Sequence, residues 1–252
     1  MGSFSVDWST VSSTFPFMLD GLRTTLQITV LTIVLSMVLA VPVTVARMSD
    51  TRLVRCAAQG YIELFRCTPL LVQLFWIFFG LPIVTGVRFG GFFSAVVALT
   101  LNLTAFMAEA YRSGFQAVPR EQTEAATMLR LSPVHQLIHI IVPQALRQQA
   151  PVILSLNIAI FKDSALVSTI GVAELMFAAN THIAMTYRPV EILTLAAAVY
   201  FVIAFPISLL TSYLERRMNV PRRRPAKARP RPAGTPGRPT ASATIAPSRR
   251  AT

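Results

Sequence analysis

The residues able to do chemistry in this 252-residue chain stand out because so little around them is charged. Lys162 and Asp163 lie side by side in the otherwise apolar stretch NIAIFKDSALV. Ionisable groups in such surroundings are costly, so they pair or line a polar cavity. Neighbouring helix positions point about 100° apart, which makes the two poor partners for each other. A residue on another helix is expected instead, for example Glu109 for Lys162. The other use is a polar pathway or solute site, which could employ both charge types. Glu109, Gln73, Asn102 and Asn157 are polar residues that could join Lys162 and Asp163 there. For each amide taken alone, an interhelical hydrogen bond is the more ordinary role.

A second polar feature is longer. Glu121–Gln149 reads EQTEAATMLRLSPVHQLIHIIVPQALRQQ. Ala125, Ala126, Met128 and Leu129 are small or apolar positions between polar ones. Ser132 and Pro133 then restart a helix, serine as N-cap and proline at the first helical position. Val134, Leu137, Ile138 and Ile141 follow helical spacing, and Pro143 is expected to interrupt. Pattern alone permits two uses, a helix lying on a membrane surface or a helix docking into a partner's groove. His135 and His139 are spaced i,i+4, but no third ligand is patterned nearby, so no metal site is expected. Cys56 and Cys67 have neither metal spacing nor a disulfide framework.

The elements that position these residues read as membrane spans. The chain is 53% hydrophobic and 13% charged, with mean hydropathy +0.56, against about 25% charged in soluble domains. Four charge-free runs, Thr24–Ala46, Cys67–Val87, Phe89–Ala108 and Ile192–Leu214, each hold at least 20 residues, enough to cross a hydrocarbon core about 30 Å thick. Gln148–Ala173, apolar but for Lys162 and Asp163, is read as a fifth. The expected fold class is therefore an all-α membrane protein with five transmembrane helices. Spans two and three are joined by a tight hairpin around Arg88, Gly90 and Gly91. Arg66 follows Glu63 at ion-pair spacing, and Thr68 is expected to cap the second span before Pro69. Pro42 and Pro206 lie inside spans, where kinks are expected.

The formal charge of +12 is a property of the tail. Met1–Glu215 holds 12 Lys and Arg against 11 Asp and Glu, whereas Arg216–Thr252 holds 11 basic residues and no acid. With five spans, Arg47, Arg52, Arg55 and Arg66 share a side with Arg112, Arg120, Arg130, Arg147 and the tail. The positive-inside rule then places the N-terminus outside and the C-terminus in the cytoplasm. Residues 1–20 become an extracytoplasmic segment with Trp8, Phe15 and Phe17 near the interface. Asp7 and Asp20 without any Lys or Arg exclude the basic start of a cleavable signal peptide. Residues 219–252, rich in proline and arginine, are expected to be disordered and drawn to anionic lipid. No patterned basic surface points to nucleic acid.

Several linked stretches resemble one family. Glu124-Ala125-Ala126, followed by Ile140-Ile141-Val142-Pro143, resembles the EAA signature of permease subunits of binding-protein-dependent ABC importers. YIELFRCTPLLVQLFW (Tyr61–Trp76), AFMAEAYRSGFQAVP (Ala105–Pro119) and PQALRQQAPVILSLNIAIFKDSAL (Pro143–Leu166) are similar to blocks of the branch importing polar amino acids. The resemblance covers roughly residues 20–218 and implies a permease domain at 21–218 of the type I importer fold, with its EAA loop at 119–149. It implies a bacterial inner-membrane location, a second permease subunit, a cytoplasmic ATPase dimer and an extracytoplasmic solute-binding protein. It also implies a coupling helix, Glu121–Leu131, with Glu124, Ala125, Ala126, Arg130 and Leu131 meeting the ATPase. The chain is then no enzyme and binds no cofactor of its own. ATP and Mg belong to the partner, and no GxxxxGK[ST] loop is present in the sequence.

Two replacements mark the coupling segment: Glu121 and Arg130 stand where the family prefers glycine. At Arg130 the glycine would suit a left-handed residue ending the first helix. Cys67 replaces a glycine and Ala165 a serine. Competing classes are a same-fold importer for another solute, a secondary transporter and a membrane scaffold. A secondary transporter should show internal repeats, and none is convincing. A scaffold needs neither an EAA helix nor charges in a span.

Overall fold

The computed structural model describes residues 8–217, which are helical almost throughout. Helix α1 (Trp8–Arg47) opens the bundle. Thr25, Ile28, Thr32, Ser36, Ala40 and Thr44 form a buried stripe along it, three to four residues apart as one helix face requires. From Ser36 onward that stripe lies on α5 (Gly91–Ala117), which presents the fully buried Ala95, Ala98, Ala105 and Ala108. Small side chains let the two backbones approach, as membrane helices require where lipid is no less apolar than leucine. The Ser36 hydroxyl donates to the Thr100 carbonyl at 3.2 Å, and the Thr44 hydroxyl lies 3.2 Å from the Ala108 carbonyl.

Between α1 and α5 the chain forms α2 (Arg52–Cys67), α3 (Leu70–Phe75), a π turn at Trp76–Gly80 and α4 (Leu81–Thr85). After α5 come α6 (Arg120–Met128), α7 (Pro133–Gln136), a second π turn at Leu137–Ile141, and α8 (Val142–Asp163). A 3-10 segment, Ser164–Ile170, leads to α9 (Leu175–Thr186) and α10 (Pro189–Arg217). Four stretches are long and apolar enough to cross a membrane, five when α2 and the segment after it are taken as one bent span.

The five expected spans thus correspond to real helices, but several details differ. The first span is longer than its charge-free run, because the helix starts at Trp8 within the segment read as extramembrane. The arginine-bearing stretch before the second span is the 16-residue helix α2 rather than a loop. The chain turns by 106° between it and α3. Pro69 causes the break: it has no N–H to continue α2 and forces Thr68 into an extended conformation, φ −104° and ψ 143°. Thr68 is therefore not the N-cap. That position falls on Pro69, and the Thr68 hydroxyl turns back to the Leu64 carbonyl at 2.6 Å. Nor do Glu63 and Arg66 pair; Arg66 lies over the Phe106 ring, 5.5 Å from its centroid.

Pro143 does not interrupt its helix. The π turn before it shifts the register, so that the Val142 N–H reaches the Leu137 carbonyl five residues back. The same device precedes Pro82, where the Leu81 N–H bonds to Trp76. One widened turn absorbs the missing donor and the ring's clash with the previous turn. Pro133–Ile170 consequently runs as one stretch of spanning character, starting well before Gln148. The basic tail lies outside the described residues, as does the side chain of Trp8.

Candidate functional site

Helices α6 and α7 form a hairpin beyond the end of α5. Its turn is fully hydrogen-bonded. The Arg130 N–H donates to the Thr127 carbonyl at 2.9 Å and the Leu131 N–H to the Ala126 carbonyl at 3.2 Å. These are the two bonds of a Schellman motif, which requires a left-handed residue between Leu129 and Leu131. Arg130 takes that conformation, with φ 53°, despite its Cβ. The next helix starts as its sequence predicts: the Ser132 hydroxyl accepts from the His135 N–H at 3.3 Å, and Pro133 holds the first position. Gln136 donates to the Leu131 carbonyl at 2.9 Å, and Gln144 bonds Gln122, tying α6 to α8.

The hairpin's outer surface mixes charge with bare apolar area. Glu124, Ala125 and Arg130 are exposed, whereas Ala126 is buried. Met128 is 84% and Leu129 75% exposed, and Val134 and Ile138 extend the patch. These bare apolar side chains stand beside Glu124 and Arg130, which form no ion pair among the described residues. His135 and His139 stack with ring centroids 4.0 Å apart, and among the described residues no group of three metal-ligating side chains converges.

The intramembrane polar residues separate into three groups. Gln73 and Asn102 meet: the Asn102 amide donates to Gln73 Oε1 at 3.0 Å and to the Phe65 carbonyl at 3.1 Å. Gln73 Nε2 lies 2.9 Å from the same Phe65 carbonyl and 3.0 Å from that of Thr68. Both amides thus satisfy carbonyls orphaned by the break at Pro69, an obligation in hydrocarbon. Glu109 is likewise engaged, though not by Lys162. Arg112 grips its carboxylate from one turn away, at 2.6 to 3.1 Å, and Arg47 at the end of α1 stands 3.7 Å off.

Lys162 and Asp163 form the third group, with Asn157. Both charged side chains are exposed, and neither forms an ion pair among the described residues. They sit where α8 tightens into the 3-10 segment, flanked by the buried Ile160, Phe161 and Ser164. The Oδ1 of Asn157, one and a half turns earlier, is buried without a hydrogen-bond partner.

Glu174 escaped the sequence reading. It is fully buried and caps α9, accepting from the Phe177 N–H at 2.7 Å and from Tyr200 of α10 at 3.2 Å. Thr25 of α1 stands 3.3 Å away and accepts from the Leu175 N–H at 3.0 Å. At the same crossing, a Cβ on Gly21 would come within 2.8 Å of the Glu174 carbonyl oxygen. Burial pushes the Glu174 carboxyl above the usual range, opposed by these donors. The signal available was one acid opening an apolar helix, ELMFAANTHIA.

An all-helical bundle with four or five stretches able to cross a membrane and a polar hairpin at one end defines an all-α membrane protein. The chain belongs to the family described as binding-protein-dependent transport system inner membrane components, matched over residues 32–220. It is 33% identical to the arginine transport system permease protein ArtQ of Bacillus subtilis (strain 168), across 85% of this chain and 98% of that one. It is 34% identical to the glutamate/aspartate import permease protein GltK of Escherichia coli O157:H7, across 85% and 99%. The crystal structure of an amino acid ABC transporter with histidines superposes with TM-score 0.79 at 35% identity, over 85% of this chain and all of that one. The fold is that of type I ABC importer permeases.

Proposed function

We propose that this chain forms the translocation pathway of an ATP-driven importer for a polar amino acid or a related zwitterion, and that the α6–α7 hairpin takes the stroke from a cytoplasmic ATPase. The observation that carries the coupling reading is the hairpin tip, with Glu124 and Arg130 beside bare Met128 and Leu129. ATP-driven closure of a partner dimer would move two such hairpins together and switch the pathway between two states. The hydrolysis is the partner's, and a second permease subunit and a solute-binding protein complete the assembly. The N-terminus is outside and the C-terminus in the cytoplasm, a reading supported by the arginines of residues 47–66 and 112–147.

Lys162, Asp163 and Asn157 are the pathway residues best supported. Among the described residues Lys162 and Asp163 form no ion pair and Asn157 Oδ1 accepts no hydrogen bond, which is costly in a span unless a second subunit, water or solute meets them. Gln73, Asn102 and Glu109 are better read as parts of the frame that holds them. The relatives' names support the solute class, since one carries a cationic and the other anionic amino acids. The decisive test is Glu124→Lys in the reconstituted importer. Solute uptake and solute-stimulated ATP hydrolysis should both collapse while membrane insertion persists. Unchanged uptake would refute the coupling assignment.

A further inference from the structure

An apolar groove of about 450 Å³ runs between the C-terminal end of α1 and the first half of α2. Pro42, Val43 and Ala46 form one wall and Leu53, Val54 and Ala57 the other. It adjoins the bare face of α1, where Val30, Val34, Val38, Val41 and Val45 are each 53 to 66% exposed at helical spacing. In a membrane span such a face meets acyl chains, so the groove opens where lipid already lies.

The turn that closes the groove is basic. Arg47, Arg52 and Arg55 stand there with Asp50 as the one acid of the turn. Arg55 donates to the Ser49 carbonyl at 3.1 Å, and Arg52 is exposed. Arg47 follows Ala46 directly. It reaches Glu109 only at 3.7 Å, beyond hydrogen-bond range, and its Nε is buried without a hydrogen-bond partner. Glu109 already holds Arg112 at 2.6 Å. One carboxylate therefore serves two guanidinium groups, and the cluster keeps an excess of positive charge.

We propose that this groove is a binding site for an anionic glycerophospholipid, with an acyl chain between α1 and α2 and the phosphate over Arg47 and Arg52. Basic pockets between membrane helices take such headgroups, and arginine donors suit phosphate oxygens. The site depends on the groove and its charges, not on which solute the permease carries.

The test uses the full-length chain in its assembled transporter, titrated in detergent with dioleoylphosphatidylglycerol or dioleoylphosphatidylcholine and weighed by native mass spectrometry. The anionic lipid should be retained at roughly tenfold lower concentration or better, the preference two arginines at an anionic headgroup supply. Arg52→Gln should shrink that preference. Ala57→Trp, which fills the groove at an exposed position, should abolish the bound lipid while leaving the thermal unfolding midpoint unmoved. Every variant keeps the basic tail, so its lipid attraction cancels in the comparison. Equal retention of both lipids, or full retention by Ala57→Trp, would overturn the site. So would efficient cross-linking of Leu53→Cys to a second permease copy, which would show the groove covered by protein.

Discussion

Arg130 sits in a conformation that glycine would adopt without cost. A side chain there carries about 1 kcal/mol of strain, held by the two Schellman bonds on either side. Arg130→Gly should therefore raise the thermal unfolding midpoint of the purified protein slightly. If the arginine also meets the ATPase, the same change lowers solute-stimulated hydrolysis, and the two readouts separate strain from contact. Glu174 invites a pH measurement. Its carboxyl titrates above its unfolded-state value of about 4.3, so folding favours the protonated form. That contribution is full below the unfolded-state value and is lost as pH rises through the folded one. The stability advantage of wild type over Glu174→Gln should shrink from pH 4 upward, as thermal unfolding in detergent would read. A constant difference would mean that Glu174 does not titrate in that window.

Among the elements, the α5–α8 crossing leaves no room for a side chain at Gly114. A Cβ on Gly114 would meet Gln149 Cγ at 2.7 Å and the Ala145 carbonyl oxygen at 2.9 Å. A backbone atom cannot swing aside, so Gly114→Val should cost about 1–3 kcal/mol as overpacking does, seen as a lowered unfolding midpoint. Since α5 leads into α6 and α8 leads out of the hairpin, that variant should also weaken coupling more than solute-binding-protein docking. The hairpin was legible from its residues, because caps, proline and the family glycine position are local signals. Helix α2 was not: its arginines indicate only which side of the membrane they share, although Val54, Ala58, Ile62 and Phe65 carry helical spacing. Helix α9 went unread because it is too short to span and is capped by glutamate, which is not a preferred N-cap residue.

At the scale of the whole molecule, the unpaired charges of α8 matter most. Lys162 forms no ion pair among the described residues, and Glu109 is held by Arg112 and Arg47 instead. Lys162→Met and Asp163→Asn, each in the reconstituted importer, should reduce uptake at least tenfold while leaving basal ATP hydrolysis within about twofold, an expected loss for removal of a charged hydrogen-bond partner. Screening charged, amidated and apolar amino acids with the cognate binding protein would then read the solute class. Stimulation by apolar amino acids alone would overturn the polar assignment.

What the sequence determined by itself was the number and approximate place of the spans, the hairpin with its caps, and the family. Hydropathy over 20 residues, proline, glycine and short motifs are properties of contiguous chain, legible without a fold. What the tertiary structure decided was who pairs with whom. Glu109 chose Arg112 and Arg47, Gln73 and Asn102 went to the carbonyls freed at Pro69, and Glu174 joined three helices at one buried carboxylate. Those choices depend on which helix faces are brought together and on the need of each buried polar group for a partner. Spacing along a single helix does not specify them.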